Sequence, residues 1–321
     1  MIMAQPKDND VVLTVSSLTK SYGDLIAVKD LSLDIFRGEI FGFLGPNGAG
    51  KTTTISMICG LLESDSGEIW INDQSLKKNY RECKRLMGLC PQDLILWESL
   101  TCLEQLEFMA RLYDVKRDSA RRRALELLGI LGLDKKKNKL AKTLSGGMKR
   151  RLNIALSLVH DPQILILDEP QAGLDPQSRV LVREYIQSLA KKITVILTTH
   201  DMDEADRLAE RIAIIDHGQL LVLDTPENLK NQIGEGDILE IRISDDKEEE
   251  INRLRQSLPG NLSHLDYQKG IIRLVGVNIS DVLPALLEKF RRSNLKIEDM
   301  TIRKKTLEDV FIALTGRRLR E

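Results

Sequence analysis

The run Ile40-Phe-Gly-Phe-Leu44-Gly45-Pro46-Asn47-Gly48-Ala49-Gly50-Lys51-Thr52-Thr53 decides how this 321-residue chain folds. Its first five residues are apolar or small without a break, as a strand covered on both faces requires. Glycines at 45, 48 and 50 then let backbone N–H groups converge, and Lys51 and Thr52 lead into an apolar helix, Thr53 to Gly60. A strand, a glycine-rich loop and a helix N-terminus in that order make an anion cradle, because the loop amides and the positive end of the helix dipole face the ligand. Lys51 is placed to reach β- and γ-phosphates, and Thr52 offers Mg2+ a hydroxyl. Gly45 to Thr53 is therefore the expected phosphate-binding segment of an ATP site.

Working outward, a second buried run, Ile164-Leu-Ile-Leu167, ends in Asp168-Glu169. Ligands of open α/β sheets sit at the carboxyl ends of the strands. Asp168 is thus expected beside the Mg2+ held by Thr52, and Glu169 is expected to orient and deprotonate the attacking water. A strand ending in a solvated acidic turn is the plainer alternative, and the presence of the cradle weighs against it. Further strands are read at Val11 to Val15, Thr194 to Thr198 and Arg211 to Asp216. They alternate with amphipathic helices, which predicts an α/β core with helices on both faces. Glu98 to Leu133 shows helical periodicity instead, at Leu103, Leu106, Met109 and Ala110, so a helical subdomain is expected over residues 93–150.

Apolar residues make up 42% of the chain and charged residues 30%, with a formal charge of −1, which is the balance of a soluble globular protein. No apolar run approaches the roughly 18 residues a bilayer span needs. The polar Met1 to Asp10 lacks the apolar core of a secretory signal, so a cytoplasmic location is expected. Four cysteines without a C-x-x-C pair read as reduced packing residues, and four histidines give no zinc spacing. From Arg111 to Arg151 basic residues greatly outnumber acidic ones. Solvated helix faces account for this most simply; contact with anionic headgroups or with a membrane partner's loops is the alternative.

Beyond Thr225-Pro226 the elements become shorter. Strands are expected at Ile238 to Ile243, Leu262 to Tyr267, Ile271 to Val275 and Leu295 to Arg303, with helices at Lys247 to Leu258 and Val282 to Arg292. The order βαββαβ suggests a small α+β ferredoxin-like domain. A final helix opens with a capping box, Thr306 with Asp309, and stops at Gly316. The expected organisation is a flexible tail over 1–10, a nucleotide-binding domain over 11–227, a linker over 228–236 and an accessory domain over 237–321.

Thr143-Leu-Ser145-Gly146-Gly147-Met148-Lys-Arg-Arg151 resembles the signature motif of ATP-binding-cassette (ABC) ATPases. Pro91-Gln92 is similar to the family's glutamine loop, Thr199-His200-Asp201 to its switch histidine, and Ala172-Gly173-Leu174-Asp175 to the loop after its catalytic glutamate. The resemblance implies an ABC-type P-loop NTPase fold, with a mixed sheet and a helical subdomain. It implies that Tyr22 stacks on adenine, that Gln92 contacts metal or water, and that His200 contacts the γ-phosphate or the attacking water. It also implies head-to-tail dimers, in which Ser145, Gly146, Gly147 and Asp175 of one copy close over ATP held by Lys51 of the other. Ser145 fits that part as a helix N-cap at an anion site. The tail Thr306 to Gly316 is similar to that of drug-exporter ATPases that serve ABC-2 membrane subunits, which implies a separate permease and a peripheral position on the cytoplasmic face. Met148 stands where many members have Gln, and Gln171 where many have Thr. The runner-up is a soluble ABC-type ATPase acting on nucleic acid or ribosomes. A single cassette and the lack of a long coiled-coil insert count against it, so no nucleic acid partner is expected.

Overall fold

The computed structural model describes residues 11–316, apart from 235, 245–249, 252, 253, 255–261, 269 and 294. Two compact units emerge, residues 1–224 and 225–321.

In the first unit, strands β1 (Val11–Tyr22), β2 (Leu25–Phe36) and β3 (Ile40–Leu44) lead through the cradle into helix α1 (Lys51–Ile58). Next come β4 (Ser66–Ile71), β5 (Gln74–Ser75), α2 (Tyr80–Arg85) and β6 (Met87–Cys90), then the helical insert with α3 (Cys102–Leu112), α4 (Arg117–Ile130) and α5 (Gly146–Leu158). The unit finishes with β7 (Ile164–Asp168), α6 (Pro176–Leu189), β8 (Thr194–Thr199), α7 (Met202–Leu208), β9 (Arg211–Asp216) and β10 (Gln219–Asp224). The central sheet has the order β10-β9-β3-β8-β7-β6, parallel except for the antiparallel edge β10. A second, antiparallel sheet runs β2-β1-β4-β5.

Every residue of β3, β7 and β8 is buried, because alternate side chains enter two separate cores. Leu165, Leu167, Val195 and Leu197 pack with α3 to α6 on one face. Phe41, Phe43, Ile164, Ile166 and Ile196 pack with α1 and the antiparallel sheet on the other. Each such side chain contributes about 1.5–3 kcal/mol on burial, which holds the strand ends rigid where the chemistry is expected. The four cysteines are buried and free. Burial pushes the Cys59 thiol up to about 12 and Cys90 to about 11, so both stay protonated packing groups.

Two differences from the sequence reading concern this unit. β1 runs on to Tyr22, and β2, β4, β5, β6 and β10 were not anticipated. In β2 the buried Leu31, Leu33 and Ile35 alternate with exposed residues that include Asp30 and Asp34, so its apolar content is thin.

The second unit opens with a correction: the polar stretch expected as a linker over 228–236 is largely helix α8 (Pro226–Gln232). Thr225 caps it by accepting from the Asn228 N–H at 3.2 Å, Pro226 takes a first-turn position, and Leu229 is fully buried. Then follow β11 (Asp237–Ile243), β12 (Leu262–Gln268), β13 (Ile271–Gly276), α9 (Ile279–Arg292), β14 (Ile297–Arg303) and α10 (Leu307–Thr315). The sheet order β12-β13-β11-β14, all antiparallel, is that of a ferredoxin-like arrangement. The expected tail over 1–10 lies outside the described residues, as does most of the helix expected at Lys247 to Leu258. Arg303 donates to both carboxylate oxygens of Asp309 at 2.7 Å, so the Thr306–Asp309 capping box of α10 is tied to the end of β14.

Candidate active site

The parallel register places the candidate residues along one sheet edge. Leu44 pairs with Thr199, Asp168 with Thr198, and Cys90 with Leu167. The residues that follow, Gly45, His200, Glu169 and Pro91-Gln92, therefore leave the sheet side by side.

The cradle is shaped by close approach. A Cβ at Gly45 would lie 2.2 Å from the Ile215 carbonyl, and one at Gly50 would lie 2.3 Å from the Ala27 carbonyl. Gly50 also needs φ +99°, which L side chains avoid. Lys51 is buried and folds back on its own loop, donating to the Gly45 carbonyl at 2.8 Å and the Pro46 carbonyl at 3.1 Å. Burial lowers its pKa, while Glu169 and Asp168 oppose that through charge. Asn47, Gly48 and Thr52 are exposed at the loop tip and helix start, Thr53 is half-buried, and Ala49 is buried beneath them. Tyr22, 51% exposed, ends β1 on the hairpin whose Ala27 abuts Gly50.

The acidic pair is divided by its surroundings. Asp168, buried, accepts a hydrogen bond from Thr198 Oγ1. Glu169 takes φ +47°, a left-handed turn that aims its side chain out of the strand line. One of its carboxylate oxygens accepts from Gln92 Nε2 at 3.3 Å, and the other lies 2.9 Å from His200 Nδ1. Three side chains singled out separately in the sequence thus meet at one carboxylate. The Glu169 N–H donates to Thr198 Oγ1 at 3.0 Å, so Thr198 grips both members of the pair.

The signature segment begins α5. Ser145 is its N-cap, accepting from the Met148 N–H at 3.4 Å, and Ser145 and Gly146 are exposed. Gly147 is buried against the start of α6, where Asp175 accepts from Ser178 N at 3.0 Å and Ser178 Oγ at 2.6 Å. Asp175 is thus a helix cap in its own subunit, and those bonds hold its carboxyl below the usual range.

Sequence reasoning missed three residues. Thr198 looked like one more strand position, and Glu204 like one more helix acid. Arg150 passed as part of a basic run, yet it is 3% exposed and, among the described residues, its guanidinium bonds are to backbone carbonyls.

A parallel sheet that gathers a glycine cradle, an acidic strand end and a histidine on one edge, with a helical insert ahead of the acidic strand, defines a P-loop nucleotide hydrolase of the ABC class. The family profile for ABC transporters matches residues 28–172, and the chain belongs to that family. It is an ATPase. It is 36% identical over 311 residues to the linearmycin resistance ATP-binding protein LnrL of Bacillus subtilis, covering 97% of this chain and 100% of that one. It is 37% identical to the daunorubicin/doxorubicin resistance ATP-binding protein DrrA of Streptomyces peucetius, covering 95% of this chain and 92% of that one. Among solved structures it resembles an ATP-binding subunit of an ABC transporter, with a TM-score of 0.64 and 30% identity over 69% of this chain and 92% of the other. A dimeric ATP-binding cassette in a post-hydrolysis state, bound to ADP and Pi, superimposes with a TM-score of 0.61 and 28% identity over 66% of this chain and 98% of the other.

Proposed function

We propose that this chain is the ATP-hydrolysing subunit of an exporter. Two copies close head to tail on ATP and drive a separate membrane permease from its cytoplasmic face. Among the described residues no helix is long and apolar enough to cross a membrane. The relatives named for drug resistance support export, and the dimeric cassette supports pairing of two copies.

The observation that carries the reading is the Glu169 carboxylate held between Gln92 and His200. A carboxylate fixed on both oxygens is pre-aimed to take a proton from water as it attacks the γ-phosphorus. His200 orients that carboxylate and the water. Lys51 leaves the Gly45 and Pro46 carbonyls for the β- and γ-phosphates, exchanging two neutral acceptors for anionic ones. Tyr22 offers its exposed ring to adenine. Ser145, Gly146, Gly147 and Asp175 of the second copy form the far wall of the site, where an exposed helix N-terminus suits phosphate.

The residues fit Mg2+. Thr52 and Asp168 are hard oxygen donors, Asp168 is already oriented by Thr198, and Gln92 reaches the adjoining Glu169. When bound, the ion neutralises phosphate charge.

Steady-state ATP turnover of Glu169→Gln tests the site, because losing a general base costs about 10²–10⁴-fold. An unchanged rate would overturn the assignment. The exporter reading is tested by co-purification of the chain with a polytopic membrane protein encoded beside it, with ATP turnover responding to that partner.

A further inference from the structure

Arg150 lies little more than a turn into α5, with its guanidinium sealed from water. Every one of the five N–H donors of that group is used. Nε donates to the Pro170 carbonyl at 3.1 Å, Nη1 to the carbonyls of Pro91 at 2.6 Å and Gln92 at 2.9 Å, and Nη2 to those of Asp168 at 2.7 Å and Glu169 at 2.8 Å. No carboxylate is among these partners. Burying a charge is costly until its bonds offset it, and here the offset comes from five backbone carbonyls that an apolar side chain of similar volume would leave without these donors. The five carbonyls come from the two loops that present Gln92 and Glu169, and those two side chains touch at 3.3 Å. Arg150 therefore sets the spacing of the two loops from behind the site. The Asp168-Glu169 peptide is gripped on both sides, its carbonyl by Arg150 and its N–H by Thr198 Oγ1.

The same helix that carries Arg150 begins at Ser145, the end that closes on the second copy's nucleotide in the function proposed above. We propose that Arg150 is a positioning residue that couples the two ATP sites of the dimer. When ATP in the partner draws in the start of α5, Arg150 seats Gln92 and Glu169 of its own subunit for the attack. The inference rests on Glu169 being the general base.

The test uses the purified full-length chain in four forms: wild type, Arg150→Lys, Glu169→Gln and the double variant. Arg150→Lys keeps the charge but not the planar five-donor fork. A small misplacement of a catalytic group costs about 10²-fold, so kcat of Arg150→Lys should fall by about that factor. Its KM for ATP should stay within about threefold, because the phosphate cradle is untouched, and its dependence on ATP concentration should lose cooperativity. Added to Glu169→Gln, it should lower the rate no further, since both changes act through one carboxylate. If Arg150→Lys melts early, Arg150→Gln, assayed well below its own melting temperature, is read in its place. An unchanged kcat in a folded Arg150 variant, or a loss that multiplies with that of Glu169→Gln, overturns the coupling role. A Glu169→Gln enzyme with a normal rate sinks the site assignment instead, which separates the two failures.

Discussion

Glu204 touches no phosphate-binding residue, yet it fixes the loop that carries His200. Its carboxyl accepts from Thr199 Oγ1 at 2.8 Å, that hydroxyl accepts from Asp201 N at 3.0 Å, and Glu204 N donates to Asp201 Oδ1 at 3.1 Å. Its second carboxyl oxygen is buried and has no hydrogen-bond partner among the described residues. Burial pushes the pKa from 4.5 up to about 7; the Thr199 hydroxyl and Arg179 oppose the rise, and the charges of Asp201 and Glu169 add to it. Well below pH 4.5 the group is neutral in the folded and unfolded chains alike. As the pH climbs from there to about 7, the unfolded chain loses the proton and the folded chain keeps it, so stability falls with rising pH and then levels off. The loss for one such group is on the order of 3 kcal/mol. Glu204→Gln keeps the shape and cannot ionise, so its thermal midpoint should decline less than that of the wild type across this range. Melting curves that shift in parallel for both proteins would contradict the assignment.

At the scale of elements, two adjacent glycines at the start of α5 should separate folding from function. A Cβ at Gly147 would meet Ser178 Oγ at 2.4 Å and disturb the hydroxyl that caps α6 with Asp175, whereas a Cβ at Gly146 meets nothing within 4 Å. Gly147→Ala should therefore cost about 1–3 kcal/mol of stability by overpacking. Gly146→Ala should melt like the wild type yet lose ATP turnover and ATP-dependent dimerisation, because in the proposed head-to-tail dimer its methyl would stand where the second copy's phosphate approaches. Equal melting temperatures for the two variants would refute the packing argument. Normal dimerisation of Gly146→Ala would refute the trans contact. The elements also show what local sequence can and cannot reveal. The cradle, the Asp168-Glu169 strand end and the Ser145 cap are written in contiguous residues, so their places in the fold could be read from spacing. Arg150 was opaque because its partners come from loops after two different strands, and a basic residue in a basic stretch gives no sign of burial. Helix α8 was hidden by its polar composition, although Thr225-Pro226 is a helix start. Strand β2 was hidden by charges on its exposed face.

The whole chain holds two units, and each has an apolar core of its own. In the second unit Leu239, Ile241, Ile272, Leu274, Leu286 and Phe290 pack into one apolar cluster. A small sheet with its own core and a capped terminal helix should fold by itself, so residues 225–321 expressed alone are expected to unfold in one cooperative transition. Truncating the fully buried Phe290 to Ala removes a large core side chain, and the usual cost is about 3–5 kcal/mol. That variant should lower the melting temperature of the isolated unit or unfold it. ATP separates the units further, since a ligand stabilises only what binds it. At a hundred times Kd it adds about 2.7 kcal/mol, and a Glu169→Gln form of residues 1–224 would show this without turnover depleting the ligand. The isolated 225–321 unit should melt at the same temperature with or without ATP. A nucleotide-dependent shift in that fragment, or the lack of any cooperative transition, would show that the second unit is not an independently folded accessory domain.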